Sequence, residues 1–431
     1  MSQASKTGPE FFICEILARQ LRTMANQPFE VAPDKALHRR RQSVPGALNK
    51  RLPDAQLLIL LWFAGLYMRL PILVAPPLAP AIARELTLSQ THIGALTTLP
   101  VLMLALGALV GSLLVTRLGA RDAVVAALVV VALGSASRGL ANGPAVLLLF
   151  SALMGLGIAV MQPSLPALLP RWLTPPRIAL GTACYMNGML MGEFIGAGLT
   201  LPVIMPLTGD SWRLTLAVWS LPALLVAPLL RLPQRHYGSR DSADQWLPQW
   251  RDPLMWKLGI LLGGTASLFF GTNAFMASVL EQRGELERLD AALFYFNLAQ
   301  VGASLTMLPM AQHWVARRLP ILASAGTNVL AMLGFLLLQG WPGVGFAVIM
   351  SFSAGIMLIL IVGLPPQLAN STDAGRLSAG NFTIGYTLAF LVPLMGGALA
   401  DATGDSLAAG WLILTFAGLT VPIAVSLKLP D

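Results

Sequence analysis

The sequence predicts an all-α membrane protein, with twelve transmembrane helices arranged as two pseudo-symmetric six-helix bundles. Three observations carry that expectation. The 431 residues are 55% hydrophobic and only 11% charged, far below the roughly 25% charge of a soluble domain. Apolar runs recur along the whole chain at lengths near the ~20 residues a spanning helix needs. Finally, the basic residues alternate between connections as the positive-inside rule requires.

The segments follow in order. Residues 1–54 are polar and basic, ending in Arg39, Arg40, Arg41, Lys50 and Arg51; they read as a mobile cytoplasmic tail, with Met24 a second candidate start. Apolar segments are expected at 55–79, 91–116, 122–140, 145–169, 178–204 and 212–232, forming an amino-terminal bundle over 55–232. A polar cytoplasmic linker spans 233–253. Six further segments, at 254–280, 290–312, 319–340, 342–368, 376–400 and 406–428, form the carboxy-terminal bundle over 254–431. Many contain proline or glycine, which spanning helices tolerate where neighbours satisfy the freed backbone groups.

With the amino terminus inside, 22 of the 28 Lys and Arg residues fall on the cytoplasmic side and five in outer loops, among them Arg84, Arg138 and Arg213. Both termini are then cytoplasmic, and the expected location is the cell inner membrane. An internal echo supports the duplication. Arg177 with Gly181 returns 199 residues later as Arg376 with Gly380, each pair opening the fifth helix of its half.

Composition also argues against other classes. The cysteines, Cys14 and Cys184, are distant, and His38, His92, His236 and His313 stand singly. No metal or cofactor is expected, and no phosphate loop or nucleophile elbow appears. An embedded enzyme should cluster carboxylates or histidines at one face, and a sensor should carry a sizeable output domain; neither pattern is present. The net charge of +8 is distributed as a topology signal rather than as a nucleic-acid surface. The expected partners are the lipid bilayer, a small-molecule substrate and, as a candidate coupling ion, the proton. The chain is expected to act as a monomer.

Arg69 is the most informative residue. It lies within the first apolar segment, where a charge costs roughly 3 kcal/mol on insertion scales, so it needs a watery cleft, a carboxylate or an anion. Its planar fork of donors suits small anions. Glu193 is the only acidic residue deep inside a span, at a depth close to that of Arg69, and reads as its partner. That carboxylate can alternate between the guanidinium and a proton, which makes it the proton-coupling candidate; a static pair that locks the bundle is the competing reading. Polar side chains at Gln162, Tyr185, Asn187, Asn273, Asn297, Gln300, Asn381 and Tyr386 are candidates for substrate contact, although embedded amides more often bond a neighbouring helix.

The run Ser112-Leu-Leu-Val-Thr116-Arg117-Leu118-Gly119-Ala120-Arg121 resembles the loop motif between helices two and three of the major facilitator superfamily. Thr116 replaces its usual aspartate. Arg117, Gly119 and Arg121 are the matching cytoplasmic loop or gate residues. More specifically, the chain resembles the bacterial cyanate and 2-nitroimidazole transporter family. The stretches that carry this are Arg69-Leu-Pro71, Ala75-Pro-Pro-Leu78, Gly94-Ala-Leu-Thr-Thr-Leu-Pro-Val-Leu102, Gly155-Leu-Gly-Ile-Ala159, Leu165-Pro-Ala-Leu168, Trp212-Arg213 and Trp219-Ser-Leu-Pro222.

The resemblance implies a uniporter, symporter or antiporter for small anions of cyanate type or for drug-like heterocycles, working by alternating access. It matches Arg69 to the family's arginine in helix one and sets Gln162 where asparagine is usual. Helix seven departs from the family's aromatic-rich stretch. The alternative within transport is efflux of neutral aromatic drugs, with Phe269, Phe270, Phe275, Phe294, Tyr295 and Phe296 lining an apolar cavity.

Overall fold

The computed structural model describes residues 54–174, 177–232, 250–315, 317–368 and 371–429. The expected tail, apart from Asp54, and most of the linker at 233–253 lie outside the described residues. No strand occurs among those described.

The first helix, α1, is broken into three pieces: Asp54–Leu66, Leu70–Leu73 and Ala75–Leu86. The breaks follow from proline. Pro71 has no N–H and crowds the carbonyl four residues back, and the backbone from Met68 to Arg69 shifts to bonds on Gly65 and Leu66. The sequence suggested an apolar segment ending at residue 79. The helix instead runs on to Leu86 and stops at Thr87, in a left-handed conformation with φ 50°. Helix α2 (Gln90–Leu118) starts at Ser89, whose hydroxyl accepts from the His92 N–H. It ends at Gly119, where φ is +83° and a side chain would be strained. This glycine makes the turn into α3 (Ala120–Ser137).

Next come α4 (Pro144–Trp172) and α5 (Ile178–Gly198). Beyond Gly198 the chain bends by 55° into a π turn and a short helical piece ending at Leu207, where the sequence suggested one segment to residue 204. Helix α6 is Trp212–Leu229. The second half holds α7 (Pro253–Gln282), α8 (Leu289–Trp314), α9 (Arg318–Leu337), α10 (Gly340–Gly363), α11 (Ser371–Thr403) and α12 (Leu407–Val425).

Among the described residues ten helices are long and apolar enough to cross a membrane, and the bent α5 makes an eleventh. Helix α8 is 26 residues long; its Asn297, Gln300, Gln312 and His313 lower its hydropathy. Large apolar side chains face outward on the spans, with Leu225 at 69% and Leu330 at 67% exposure. In water such a belt would drive aggregation; lipid is the solvent it fits.

Within the first half α4 packs on α2 and α3, α5 on α1, and α6 on α3. In the second, α11 packs on α7, α10 on α8 and α9, and α12 on α7, α9 and α11. The α1–α5 contact is unusually tight. Added Cβ atoms at Gly188, Gly192 and Gly196 would lie 2.1, 2.3 and 2.7 Å from the carbonyl oxygens of Trp62, Leu66 and Leu70. Only glycine at this four-residue spacing lets the two backbones meet.

The halves meet through α2 with α11, α5 with α8, and α7 with α2 and the last piece of α1. These contacts gather at the end carrying the α1–α2 and α11–α12 connections. There Asp401 accepts from the backbone N–H groups of Gln90 and Thr91, at 2.6 and 2.9 Å, and from the Thr91 hydroxyl. A carboxylate of the second half thus caps the N-terminus of a helix of the first. Beside it Gly397 packs on the Gln90 carbonyl, and Phe194 meets Phe294 edge-on at 5.1 Å.

Candidate functional site

The break in α1 is what exposes the site to both halves. Arg69 occupies the non-helical junction before Leu70–Leu73, with φ −130° and ψ −35°, so its side chain leaves the helix away from the lipid. It is 4% exposed, as is Glu193. The glycine seam brings α5 against α1, and the two charges meet with Arg69 Nε 3.4 Å from Glu193 Oε1. Strong charge-assisted hydrogen bonds are about 2.7–2.9 Å, so this pair is loose.

Across the boundary between the halves, Arg69 Nη2 donates to the hydroxyl of Tyr386 on α11 at 3.1 Å. The guanidinium also lies over two rings of the second half, 5.2 Å from the centroid of Phe270 and 5.8 Å from that of Tyr386. Both fall within the ~6 Å range of cation–π attraction. Phe382 stacks on Tyr386 at 5.7 Å, nearly parallel. The decisive feature is what remains open. Arg69 Nε and Nη1 are buried and have no hydrogen-bond partner. Buried donors are seldom left unmet: Nε is turned to the loose Glu193 carboxylate, and Nη1, on the opposite edge, is the open donor a small anion could take.

Of the residues singled out from sequence, the structure brings Arg69, Glu193 and Tyr386 together. Others are engaged elsewhere. Asn187 accepts from Trp62 Nε1 at 2.9 Å, which ties α5 to the first piece of α1. Asn273 and Asn297 bond to each other at 2.9 Å, and each also donates to a carbonyl of its own helix. Gln300 donates to the Ser351 carbonyl at 2.9 Å, joining α8 to α10. These amides stitch the second half. Tyr185 is buried, its backbone against Gly65, and Gln162 is half-buried on α4. Asn381 is 1% exposed with neither side-chain polar atom bonded, an amide still open to a ligand.

At the other end of α2, Arg117 is exposed, Gly119 makes the turn, and Arg121 Nε lies 3.9 Å from Asp122. Asp122 is also 3.8 Å from Arg231, so these loop residues tie helix ends rather than join the centre. Within the aromatic set, Phe269 stacks on Phe296 at 5.7 Å and Phe270 faces Arg69, but Tyr295 is 48% exposed and points outward.

Sequence reasoning missed two elements. The spacing Gly188, Gly192, Gly196 was visible and marks the α5 face that meets α1. Arg138, counted above among outer-loop residues, is 1% exposed and packed inside the first half; it closes α3 in a 3-10 turn rather than extending into solvent. The Trp212–Arg213 pair proves to be an anchor. Trp212 Nε1 donates to Glu85 at 2.6 Å, and Arg213 bonds both Glu85 and the carbonyls of Gly139 and Ala141. It fastens the end of α1 to α3 and α6.

Comparison with known proteins fits this architecture. Residues 57–393 match the Major Facilitator Superfamily. The chain is 28% identical over 362 residues to the cyanate transport protein CynX of Escherichia coli K12, covering 81% of this chain and 91% of that protein. It is also 28% identical over 342 residues to the 2-nitroimidazole transporter of the same organism, covering 77% and 84%. Among solved structures, a bacterial homologue of the human lysosomal transporter Spinster, in an inward-facing and occupied conformation, superposes with a TM-score of 0.70. It is 16% identical, covering 86% of this chain and 94% of that one, which speaks to the fold alone.

Proposed function

Since the chain belongs to the Major Facilitator Superfamily, and is a multi-pass membrane transporter rather than an enzyme, we propose that it carries a small, flat anion of cyanate type across the inner membrane by alternating access. One observation carries the reading: the Arg69 guanidinium sits where the halves meet, bonded to Tyr386 of the second half, with Nη1 open and only a loose 3.4 Å ion pair to Glu193 at Nε. An anion entering the junction meets the open Nη1 donors. Because Arg69 touches both halves, a bound anion favours the state in which they close on it.

Glu193 supplies the return partner. At 3.4 Å it neutralises Arg69 when no anion is present, so an empty carrier does not strand a bare charge in lipid. An anion must displace it, and protonation of the carboxylate eases that exchange. Proton coupling then follows from one charge competing with another. With both termini cytoplasmic, the end clamped by Asp401 is the outer one. The names of the cyanate and 2-nitroimidazole relatives support a small planar solute.

A second reading has its own support. Phe270, Phe382 and Tyr386 make a ring surface beside Arg69, suited to neutral heterocycles. Flux into proteoliposomes separates the two. Cyanate, nitrate, formate and 2-nitroimidazole are tested with and without an imposed pH gradient, for the parent, Arg69→Ala and Arg69→Lys. The anion reading expects Arg69→Ala to insert normally and lose anion flux, with Arg69→Lys keeping part of it. Unchanged anion flux in the Ala variant would remove Arg69 from the mechanism; loss confined to 2-nitroimidazole would favour the second reading.

A further inference from the structure

We infer that Arg138 is a positioning residue for Arg69, acting through the backbone carbonyl of Pro71; this role rests on the anion-carrier proposal. Arg138 is among the largest fully buried side chains of the molecule. Its Nη2 donates to the Pro71 carbonyl at 2.8 Å and to the Ser135 hydroxyl at 3.0 Å, while Nε and Nη1 are buried without a partner. Among the described residues no carboxylate pairs with it.

A buried guanidinium without a counter-charge is expensive, so capping the end of α3 is a poor reason for it. Arg213 and Arg283 serve helix-terminal carbonyls too, from partly exposed positions and with more bonds. What sets Arg138 apart is the carbonyl it holds. Pro71 belongs to the first turn after the break at Arg69, which is its N-cap, and that turn runs through a helical Val74 into Ala75–Leu86. The Arg69 carbonyl accepts the N–H groups of Ile72 and Leu73, so this piece and Arg69 turn as one body.

Across the break at Arg69 the first piece of α1 no longer fixes the rotation of the turn that follows, so an outside anchor on that turn bears on where Arg69 points. A slip of one residue turns a helix by about 100°, which would swing Arg69 away from Glu193 and Tyr386 together. Arg138, anchored on α3, fixes that rotation from behind α1. It touches neither the anion nor the central junction.

The test uses the full chain in proteoliposomes, with cyanate and neutral 2-nitroimidazole as probes. Arg138→Met and Arg138→Lys are measured for uptake, and hydrogen–deuterium exchange is followed over residues 66–74. Arg138→Met is expected to raise the cyanate KM about tenfold, with maximal rate and 2-nitroimidazole KM within about twofold. Amide exchange at 66–74 should rise about tenfold while α7 and α11 keep the parent's protection. Arg138→Lys, whose ammonium still reaches one carbonyl, should restore both readouts to within about threefold.

Parental exchange at 66–74 in Arg138→Met overturns the inference, as does a fall in maximal rate for both solutes at unchanged KM. Where Arg138→Met fails to insert, Arg138→Gln, too short to hold Pro71, takes its place under the same criteria. The two proposals fail separately. Unchanged cyanate flux in Arg69→Ala removes the anion carrier and with it the purpose of this anchor, whereas exchange at 66–74 reports on the anchor alone.

Discussion

The two halves repeat one layout but use their first helices in opposite ways. Helix α1 carries Pro71, Pro76, Pro77 and Pro80 and is broken at Arg69; its counterpart α7 has proline only at its start and runs unbroken for 30 residues. Among the described residues of the spans, the buried charges Arg69, Glu193 and Arg138 belong to the first half, while the second buries amides, two of which bond each other. The contrast teaches how a charge is held in lipid. A break frees backbone and a side-chain direction that a regular helix does not offer, and the freed carbonyls then call for donors such as Arg138. The intact α7 presents Phe270 as a fixed wall against which the guanidinium rests.

The seams beneath these helices differ in the same sense. On α5, Gly192 meets the backbone carbonyl of Leu66. On α11, which packs on α7 as α5 packs on α1, Gly385 faces only the side chain of Leu262, which can move. The first seam is rigid and the second forgiving.

Four measurements test whether the halves differ in this way. The largest effect is expected at Arg69: Arg69→Ala should cut cyanate flux by about a hundredfold or more, an effect in keeping with loss of a charge-assisted contact, with normal amounts of protein in the membrane. Retained flux would place anion recognition in the second half.

Next, Gly192→Ala should destabilise the protein by about 1–3 kcal/mol through overpacking against backbone and lower anion flux with it. Gly385→Ala should fall below about 1 kcal/mol, because only a side chain must shift. Thermal unfolding of purified protein compares them, and equal losses would end the distinction between the seams.

Third comes pH. Protonating Glu193 releases Arg69, so apparent cyanate affinity in the parent should rise as pH falls. Glu193→Gln should hold the acidic-pH affinity at every pH and show a flat profile. A parental pH profile in the variant would make the pair purely structural.

The smallest effect belongs to the second half. Asn297→Ala removes the bond to Asn273 and should cost about 0.6 kcal/mol, the average for interhelical bonds in membranes, leaving the cyanate KM within about twofold. A larger rise in KM would bring these amides into the binding site.

Composition and period alone are enough to read the solvent, the helices and two of the three embedded charges, Arg69 and Glu193. Lipid demands long apolar runs, and an arginine amid such a run announces itself. Arg69, Glu193 and Tyr386 were legible as candidates for that reason. The packing of the helices is what reveals that Tyr386 bonds Arg69 from the opposite half, that Asn273, Asn297 and Gln300 serve their neighbours, and that Arg138 is interior. Each of these is a contact between residues far apart in the chain. Hydropathy records a residue's preference for water or lipid; which groups it meets is set by how helices cross, break and rotate.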